Sequence, residues 1–267
     1  MPGGIRRTPY APRAFGLTLE GMEWFEDESL WRELYPYVFP VERVAAAPGQ
    51  VTQLLDLAGV TGGTVLDLCC GPGRHAVEFA RRGFVVTGVD RSPFLLERAR
   101  ERALASAVEV EWVLDDMRRF ERPASFHLAC NLFTSFGYFE REEDNQRVLA
   151  NIRESLRDGG ALVMDMVGKE HLERVGLGPR HTSFADGAVL IQQGHANADW
   201  TRLENDWTLV QAGHSRHYRF EHHLYSGQGL RDRLESCGFT DVRLYGDLAG
   251  SPYGPEALRL VAVARKG

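Results

Sequence analysis

A chain of 267 residues with 31 Lys plus Arg against 37 Asp plus Glu carries a formal net charge of −6. That length can bury a sizeable core and suits one α/β domain with additions, while the acidic balance argues against the broad basic field of phosphate-driven nucleic-acid binding. No apolar run approaches the ~20 residues of a membrane-spanning helix, and the cysteines Cys69, Cys70, Cys130 and Cys237 show neither Cys-x-x-Cys spacing nor a metal-binding grouping with His.

In chain order, residues 1–22 are rich in Gly, Pro and Arg and read as an arm. Met1-Pro-Gly-Gly-Ile-Arg-Arg7 has no apolar h-region, so no secretory signal is expected and reduced thiols in the cytoplasm are. Trp24 to about Leu57 reads as two helical pieces, broken at Pro36 and Pro40, with Pro48 near the second start. Residues 1–60 are therefore expected to form an arm and a helical cap.

From Thr64 to Val167 strand and helix patterns alternate, which predicts five parallel strands. Val65-Leu-Asp-Leu68 runs into Cys69-Cys-Gly-Pro-Gly73, and a helical pattern through Ala76 follows, stopped by Gly83. Gly71 and Gly73 would let the backbone approach a ligand with no Cβ in the way, and the helix start offers unpaired N–H groups and a positive dipole end. The second strand, Phe84 to Val89, ends at Asp90, an acid placed to accept both hydroxyls of an adenosine ribose. The third, Val108 to Leu114, ends at Asp115-Asp-Met117. There Asp116 can accept from an adenine amino group while Met117 packs on the ring, and Asp115 is able to exchange roles with Asp116. The fourth, Phe126 to Cys130, delivers Asn131-Leu-Phe133 and the aromatics beyond it. Ligands of open α/β sheets bind at that carboxyl edge. Ser92-Pro93 starts the next helix, and Glu142 to Arg157 forms another, ended by Gly159-Gly160.

Beyond Val167 the period changes to alternation, predicting three antiparallel strands at Val189–Gln192, Thr201–Val210 and Ser215–Tyr225. In the last, Tyr218, Phe220, His222 and Leu224 share one face, and His217, Arg219, Glu221 and His223 the other. A helix near Leu230–Ser236 and strands Val242–Tyr245 and Arg259–Ala264 complete a core over residues 61–267. The antiparallel insertion at about 180–226 is expected to stand over the ligand edge as a lid or acceptor wall.

These motifs resemble the class I S-adenosylmethionine-dependent methyltransferases, whose first motif is an acid, three residues, then Gly-x-Gly: here Asp67, Gly71 and Gly73. The resemblance is to bacterial stand-alone members and runs from Trp24-Phe25 through Tyr35-Pro36 to Gly246-Asp247 and Lys266. It implies a Rossmann-like α/β fold with a mixed seven-stranded sheet, helices on both faces and S-adenosylmethionine as cofactor, S-adenosylhomocysteine being the product. It implies cofactor contacts from Asp67, Cys69, Gly71, Gly73, Arg74, Asp90, Arg91, Asp116, Met117, Asn131 and Phe133. Tyr35 resembles a cofactor-capping tyrosine and reads equally as a buried phenol. Asn131 reads either as a contact through its backbone or as a residue satisfying the loop. Cys69 stands where Ala or Gly is commoner, His127 where Asp is common, and Arg157-Asp158 replaces a Lys-Pro pair.

The activity implied is methyl transfer to an N or O atom of a small-molecule acceptor by in-line displacement, with proximity supplying much of the rate. No metal is expected, and either a monomer or a homodimer fits. His222 and His217 are the candidates by residue type should a hydroxyl acceptor need a general base; a structural or solvated role is their alternative. The motifs address the cofactor half and are silent on acceptor identity. A nicotinamide dehydrogenase would use the same glycine loop and Asp90 but leaves Asp116-Met117 without a role, and no Tyr-x-x-x-Lys is evident. A non-catalytic binder of the same cofactor shares every motif. For an RNA methyltransferase, Asn131-Leu-Phe-Thr is not the Pro-Pro-aromatic sequence of base-amino methylation, and the charge is wrong.

Overall fold

The computed structural model describes residues 23–267; the predicted arm at 1–22 lies outside the described residues. The five parallel strands are β1 (Thr64–Leu68), β2 (Val85–Asp90), β3 (Glu111–Leu114), β4 (Phe126–Asn131) and β5 (Leu156–Met166). With β10 (Phe239–Tyr245) and β11 (Leu260–Lys266) they form one seven-stranded sheet in the order β10-β11-β5-β4-β1-β2-β3. Only β11 runs against its neighbours, pairing antiparallel with β5 and β10. The order reverses between β1 and β4, and such a switch opens a crevice at the strands' carboxyl ends.

Alternation along β1 explains the two-faced core. Val65 joins Ala76, Phe79, Val86 and Leu128 on one side. Leu66 and Leu68 point to the other, among Ala129, Val148, Ile152 and Leu162. The first layer is closed by α3 (Ala47–Ala58) and α4 (Arg74–Arg81), the second by α6 (Glu142–Ser155) and α8 (Gly227–Ser236). Helix α5 (Pro93–Ala105) begins as predicted, with Ser92 accepting from the Leu95 N–H at 3.2 Å.

Three readings of the chain need correction. The cap holds three helices, α1 (Glu28–Val38), α2 (Val41–Ala45) and α3, and Pro36 lies inside α1 instead of breaking it. A proline there removes one i→i−4 donor, an effect offset by Asp27, whose side chain caps Ser29 and Leu30. Gly159-Gly160 does not end α6, which stops at Ser155; both glycines belong to β5. The β4–β5 register jumps there, from Phe126 opposite Leu156 to Leu128 opposite Ala161. A Cβ on Gly160 would stand 2.8 Å from the Arg157 carbonyl, so glycine lets that bulge close. Finally, the second sheet has four strands, not three: β6 (Arg180–Ser183), β7 (Val189–Ala196), β8 (Arg202–Gln211) and β9 (His214–His223), all antiparallel.

The cap and the second sheet share a core. Leu30, Leu34 and Tyr37 of α1 pack on Ala188, Leu190 and Leu209. Tyr37 donates to Asp186 at 2.9 Å, and Tyr218 donates to Glu33 at 2.6 Å. Helix α7 (Lys169–Val175) links β5 to this sheet. Among the described residues no helix is long and apolar enough to cross a membrane.

Candidate active site

At the tip of β1 the chain turns sharply. Cys69 takes the left-handed conformation at φ 60, which β-carbon-bearing residues rarely adopt, followed by Gly71 at φ 53 and Gly73 at φ 71. The loop is pinned to β2: Cys70 donates its N–H to the Val89 carbonyl at 3.0 Å, and Gly71 donates to Asp90 Oδ2 at 2.8 Å. The other oxygen of Asp90 accepts from the Ser92 N–H at 2.9 Å. Burial raises the Asp90 carboxyl above its ordinary range, against the pull of those N–H groups.

A cavity of about 450 Å³ opens over these tips. Of the residues the sequence proposes, Asp67, Cys69, Gly71, Arg74, Asp90 and Arg91 line it, as do Asp116, Met117, Phe133 and His222. Tyr35, Gly73, Asn131 and His217 are not brought to it. Tyr35 packs edge-on against Phe94 and accepts from Arg102 at 3.4 Å. Gly73 is required for a different reason from the one its motif suggests: a Cβ there would lie 2.5 Å from the Trp112 indole and 2.9 Å from Ala99 Cβ. Its freedom serves packing of the third strand's tryptophan. Asn131 is buried and donates to the Leu68 carbonyl at 3.2 Å, tying the tips of β4 and β1. His217 lies on the outer face of β9, exposed, and bonds Thr208 at 2.9 Å.

The electrostatics divide the cavity. Asp67 is buried, and its Oδ2 has no hydrogen-bond partner. Burial pushes its carboxyl up to about 7 against the attraction of Arg74. An unpartnered buried carboxylate oxygen on a cavity wall is a fit for a cationic ammonium group. Asp116 is different: Oδ1 accepts from the Arg118 N–H at 2.8 Å and Oδ2 from the Arg118 guanidinium at 2.7 Å, with Arg91 at 3.4 Å. Burial works upward on Asp116, but the Arg118 hydrogen bonds win and hold the carboxylate below its usual range. Any adenine amino group must share it with those guanidinium groups. The thiols of Cys69, Cys70 and Cys130 are pushed well up by burial and neighbouring carboxylates, and all are free; they are poor thiolates and poor redox candidates.

Sequence reasoning missed a cationic collar. Phe133, held at φ 64, has the guanidinium of Arg43 4.3 Å from its ring centroid, Arg74 at 5.0 Å and Arg259 at 5.7 Å. Asp165, at the tip of β5, anchors the arrangement by accepting from Arg259 Nε at 2.7 Å and the Phe133 N–H at 3.2 Å. Asp165 stands one residue before the end of β5, as Asp67 does in β1, a signal that could have exposed it. Arg43 sits on a short cap helix, where an arginine is unremarkable in sequence.

The far half of the cavity is built by Trp24, Trp31, Tyr138, Trp207, Phe220 and His222, so the second sheet stands against the strand tips.

The methyltransferase-domain family matches residues 65–160. The glycine/sarcosine N-methyltransferase of Aphanothece halophytica is 25% identical over 205 residues, covering 76% of this chain and 76% of that protein. Among solved structures, an S-adenosylmethionine-dependent methyltransferase from Clostridium acetobutylicum superposes with a TM-score of 0.72 at 12% identity, covering 90% of this chain and 98% of that one. The sugar N-methyltransferase KedS8 from Streptoalloteichus superposes at 0.68 with 19% identity, covering 98% and 99%. Residues 65–160 thus carry a methyltransferase domain, and the chain has the fold of S-adenosylmethionine-dependent methyltransferases. Its cofactor is S-adenosylmethionine, and the glycine loop with its flanking acids is the element of this chain that fits it.

Proposed function

We propose that this methyltransferase transfers the methyl group to an N or O atom of a small-molecule acceptor held between the two sheets. The observation that carries the reading is the continuity of one cavity from the strand tips to the inner face of the antiparallel sheet. Cofactor and acceptor ends are then walled by different parts of one chain, with residues 180–226 serving as an insertion into a core of 61–267.

The residue roles follow from charge and reach. Asp90 holds the ribose, and Asp116 with Met117 borders the adenine. The Gly71 N–H is occupied by Asp90, so that loop contributes shape more than donors. Asp67 faces the amino group of the methionine part, and Arg74 with Arg43 its carboxylate. Cys69 and Arg91 line the cofactor wall. When bound, S-adenosylmethionine supplies a methyl on a sulfonium, activated for in-line displacement. The chain's own work is to orient the acceptor and exclude water, for which the aromatic wall is suited.

The test is calorimetric titration with S-adenosylhomocysteine, with NADH in parallel and Asp90→Ala as control. Micromolar binding of S-adenosylhomocysteine alone, lost in the variant, is expected. Binding of NADH instead, or of neither, overturns the reading. Binding without turnover across a broad acceptor panel would favour a non-catalytic binder, and salt-dependent RNA binding a nucleic-acid acceptor.

A further inference from the structure

The inner face of the second sheet has a composition that its outer face does not. Strand pairing places Asn205 opposite Phe220, Leu203 opposite His222 and Trp207 opposite Tyr218. Alternation then sends Leu203, Asn205, Trp207, Phe220 and His222 toward the cavity. Glu204, Asp206, His217 and Arg219 are sent to the other side.

Trp24 stacks on Phe220 with centroids 4.6 Å apart and 28° between planes, so the two rings form one continuous piece of the cavity wall. Tyr138 meets Trp24 edge-on at 4.8 Å, and Trp207 meets Phe220 edge-on at 5.0 Å. The Trp24 indole N–H is buried without a partner. Among the described residues, the carboxylates that line the cavity, Asp67, Asp90, Asp115 and Asp116, all lie at the strand tips, away from the second sheet.

His222 is one of the polar groups that the second sheet turns to the cavity, with Gln192, Gln193 and Asn205. It is buried, and burial pushes its imidazole down to about 4, so the ring is neutral at pH 7. Its Nδ1 lies 3.2 Å from Asn205 Nδ2. That amide nitrogen also faces the Leu203 and Phe220 carbonyls, each at 3.4 Å, and carbonyls only accept. With the amide nitrogen turned to those carbonyls, one of its two hydrogens serves them and the other is left for Nδ1, an arrangement that assigns the ring proton to Nε2. Nε2 has no hydrogen-bond partner among the described residues, and His222 lines the cavity.

We infer that the acceptor is a flat, largely apolar molecule, such as an aryl compound, packed against the wall that Trp24, Trp207 and Phe220 form together, with an oxygen or unprotonated nitrogen that accepts a hydrogen bond from His222 Nε2. His222 is then an acceptor-binding donor, not a general base, and Asn205 positions its proton. Among the described residues, an alkylammonium acceptor finds no counter-charge on this wall. The inference rests on the methyl-transfer reading above.

Two measurements on the full chain saturated with S-adenosylhomocysteine test it. Imidazole 15N spectra, with His222 assigned through His222→Phe, should report the Nε2–H tautomer, and Asn205→Asp should move the proton to Nδ1. In calorimetry, 4-nitrophenol and 2-naphthol should bind, while glucosamine and glycine do not. His222→Phe, which keeps the ring and loses the N–H, should weaken the aromatic probes roughly tenfold, and His222→Gln, which keeps a donor, should retain most of the affinity. An Nδ1–H tautomer in the unaltered protein overturns the inference. So does binding of glucosamine or glycine, or failure of both aromatic probes. Failure of S-adenosylhomocysteine itself to bind strikes the methyl-transfer reading, and the tautomer, read on the protein alone, still decides the role of His222.

Discussion

The Gly71 N–H donates to Asp90 Oδ2 at 2.8 Å, so the loop after β1 and the acid after β2 are one hydrogen-bonded unit. Asp90 thus has two tasks: it shapes the glycine turn, and in the proposed assignment it receives the ribose. Removing it strands the buried Gly71 donor as well as a ligand contact. Hydrogen bonds to charged groups are worth about 1.5–3 kcal/mol, so Asp90→Ala should lower S-adenosylhomocysteine affinity roughly 10- to 100-fold. Calorimetry reads this directly; affinity within threefold of the unaltered protein would refute the ribose assignment.

Gly71 and Gly73 belong to one motif but should respond differently to alanine. Both have positive φ, which is strained for any residue with a Cβ. At Gly71 the new Cβ would meet only Phe39, at an ordinary 3.5 Å. At Gly73 it would meet Trp112 at 2.5 Å and Ala99 at 2.9 Å, inside the packed layer. Gly71→Ala should cost about 1–2 kcal/mol from the backbone alone, and Gly73→Ala about 2–5 kcal/mol once overpacking is added. Urea unfolding measures both, and adding Trp112→Leu should return part of the loss only in the Gly73 background. Equal costs at the two sites would remove the packing explanation.

Strand-to-loop order was legible because it is written locally. Val65 to Leu68 is apolar on both faces, Asp67 apart, and Gly71-Pro-Gly73 can continue neither strand nor helix. Strand β6 escaped because Arg180–Ser183 is polar and wholly exposed, with no alternation to see. Pro36 stays inside a helix because the packing of Leu30, Leu34 and Tyr37 on the second sheet outweighs the donor it removes, and that packing is not local in sequence. The site divides the same way. The acids at strand tips could be placed from position alone. Arg43, Trp24 and Trp207 join the cavity only through the docking of the cap and the second sheet on the strand tips, which no spacing encodes.

Asp67 should give the protein a recognisable pH signature. Its carboxyl is pushed up to about 7 by burial, against 3.8 as the ordinary value. Between those values the folded state holds a proton that the unfolded chain has released. Its contribution to stability therefore falls as pH rises from about 4 to about 7. Asp67→Asn should flatten that fall, which urea midpoints across pH 4–8 would detect. If Asp67 faces the ligand's ammonium group, binding requires the ionised form. Affinity for S-adenosylhomocysteine should then rise with pH up to about 7 and level off above it, approaching tenfold per unit at the acid end. In Asp67→Asn it should be weaker and flat with pH. A flat profile in the unaltered protein would take Asp67 away from the amino group.

Arg43, Arg74 and Arg259 around Phe133 pose the last question, because like charges so close repel. Burial lowers the Arg43 guanidinium from its ordinary value, and Arg259 lowers it further; Arg74 is brought down to about 10 by burial and by Arg43. Asp165 engages Arg259 at 2.7 Å, and Gln50 accepts from Arg74 at 2.5 Å, while the Arg43 guanidinium, among the described residues, donates to the Val38 carbonyl and meets no carboxylate. An anion entering the collar would relieve this repulsion, which is why the methionine carboxylate is assigned here. Arg43→Met keeps much of the side chain's apolar contact with Phe133 while deleting the charge. It should weaken S-adenosylhomocysteine roughly 10-fold or more yet leave adenosine, which has no carboxylate, within about twofold. Because adenosine occupies the same ribose and adenine contacts, an equal loss for both ligands would mean that Arg43 supports the cavity's shape and does not bind the carboxylate.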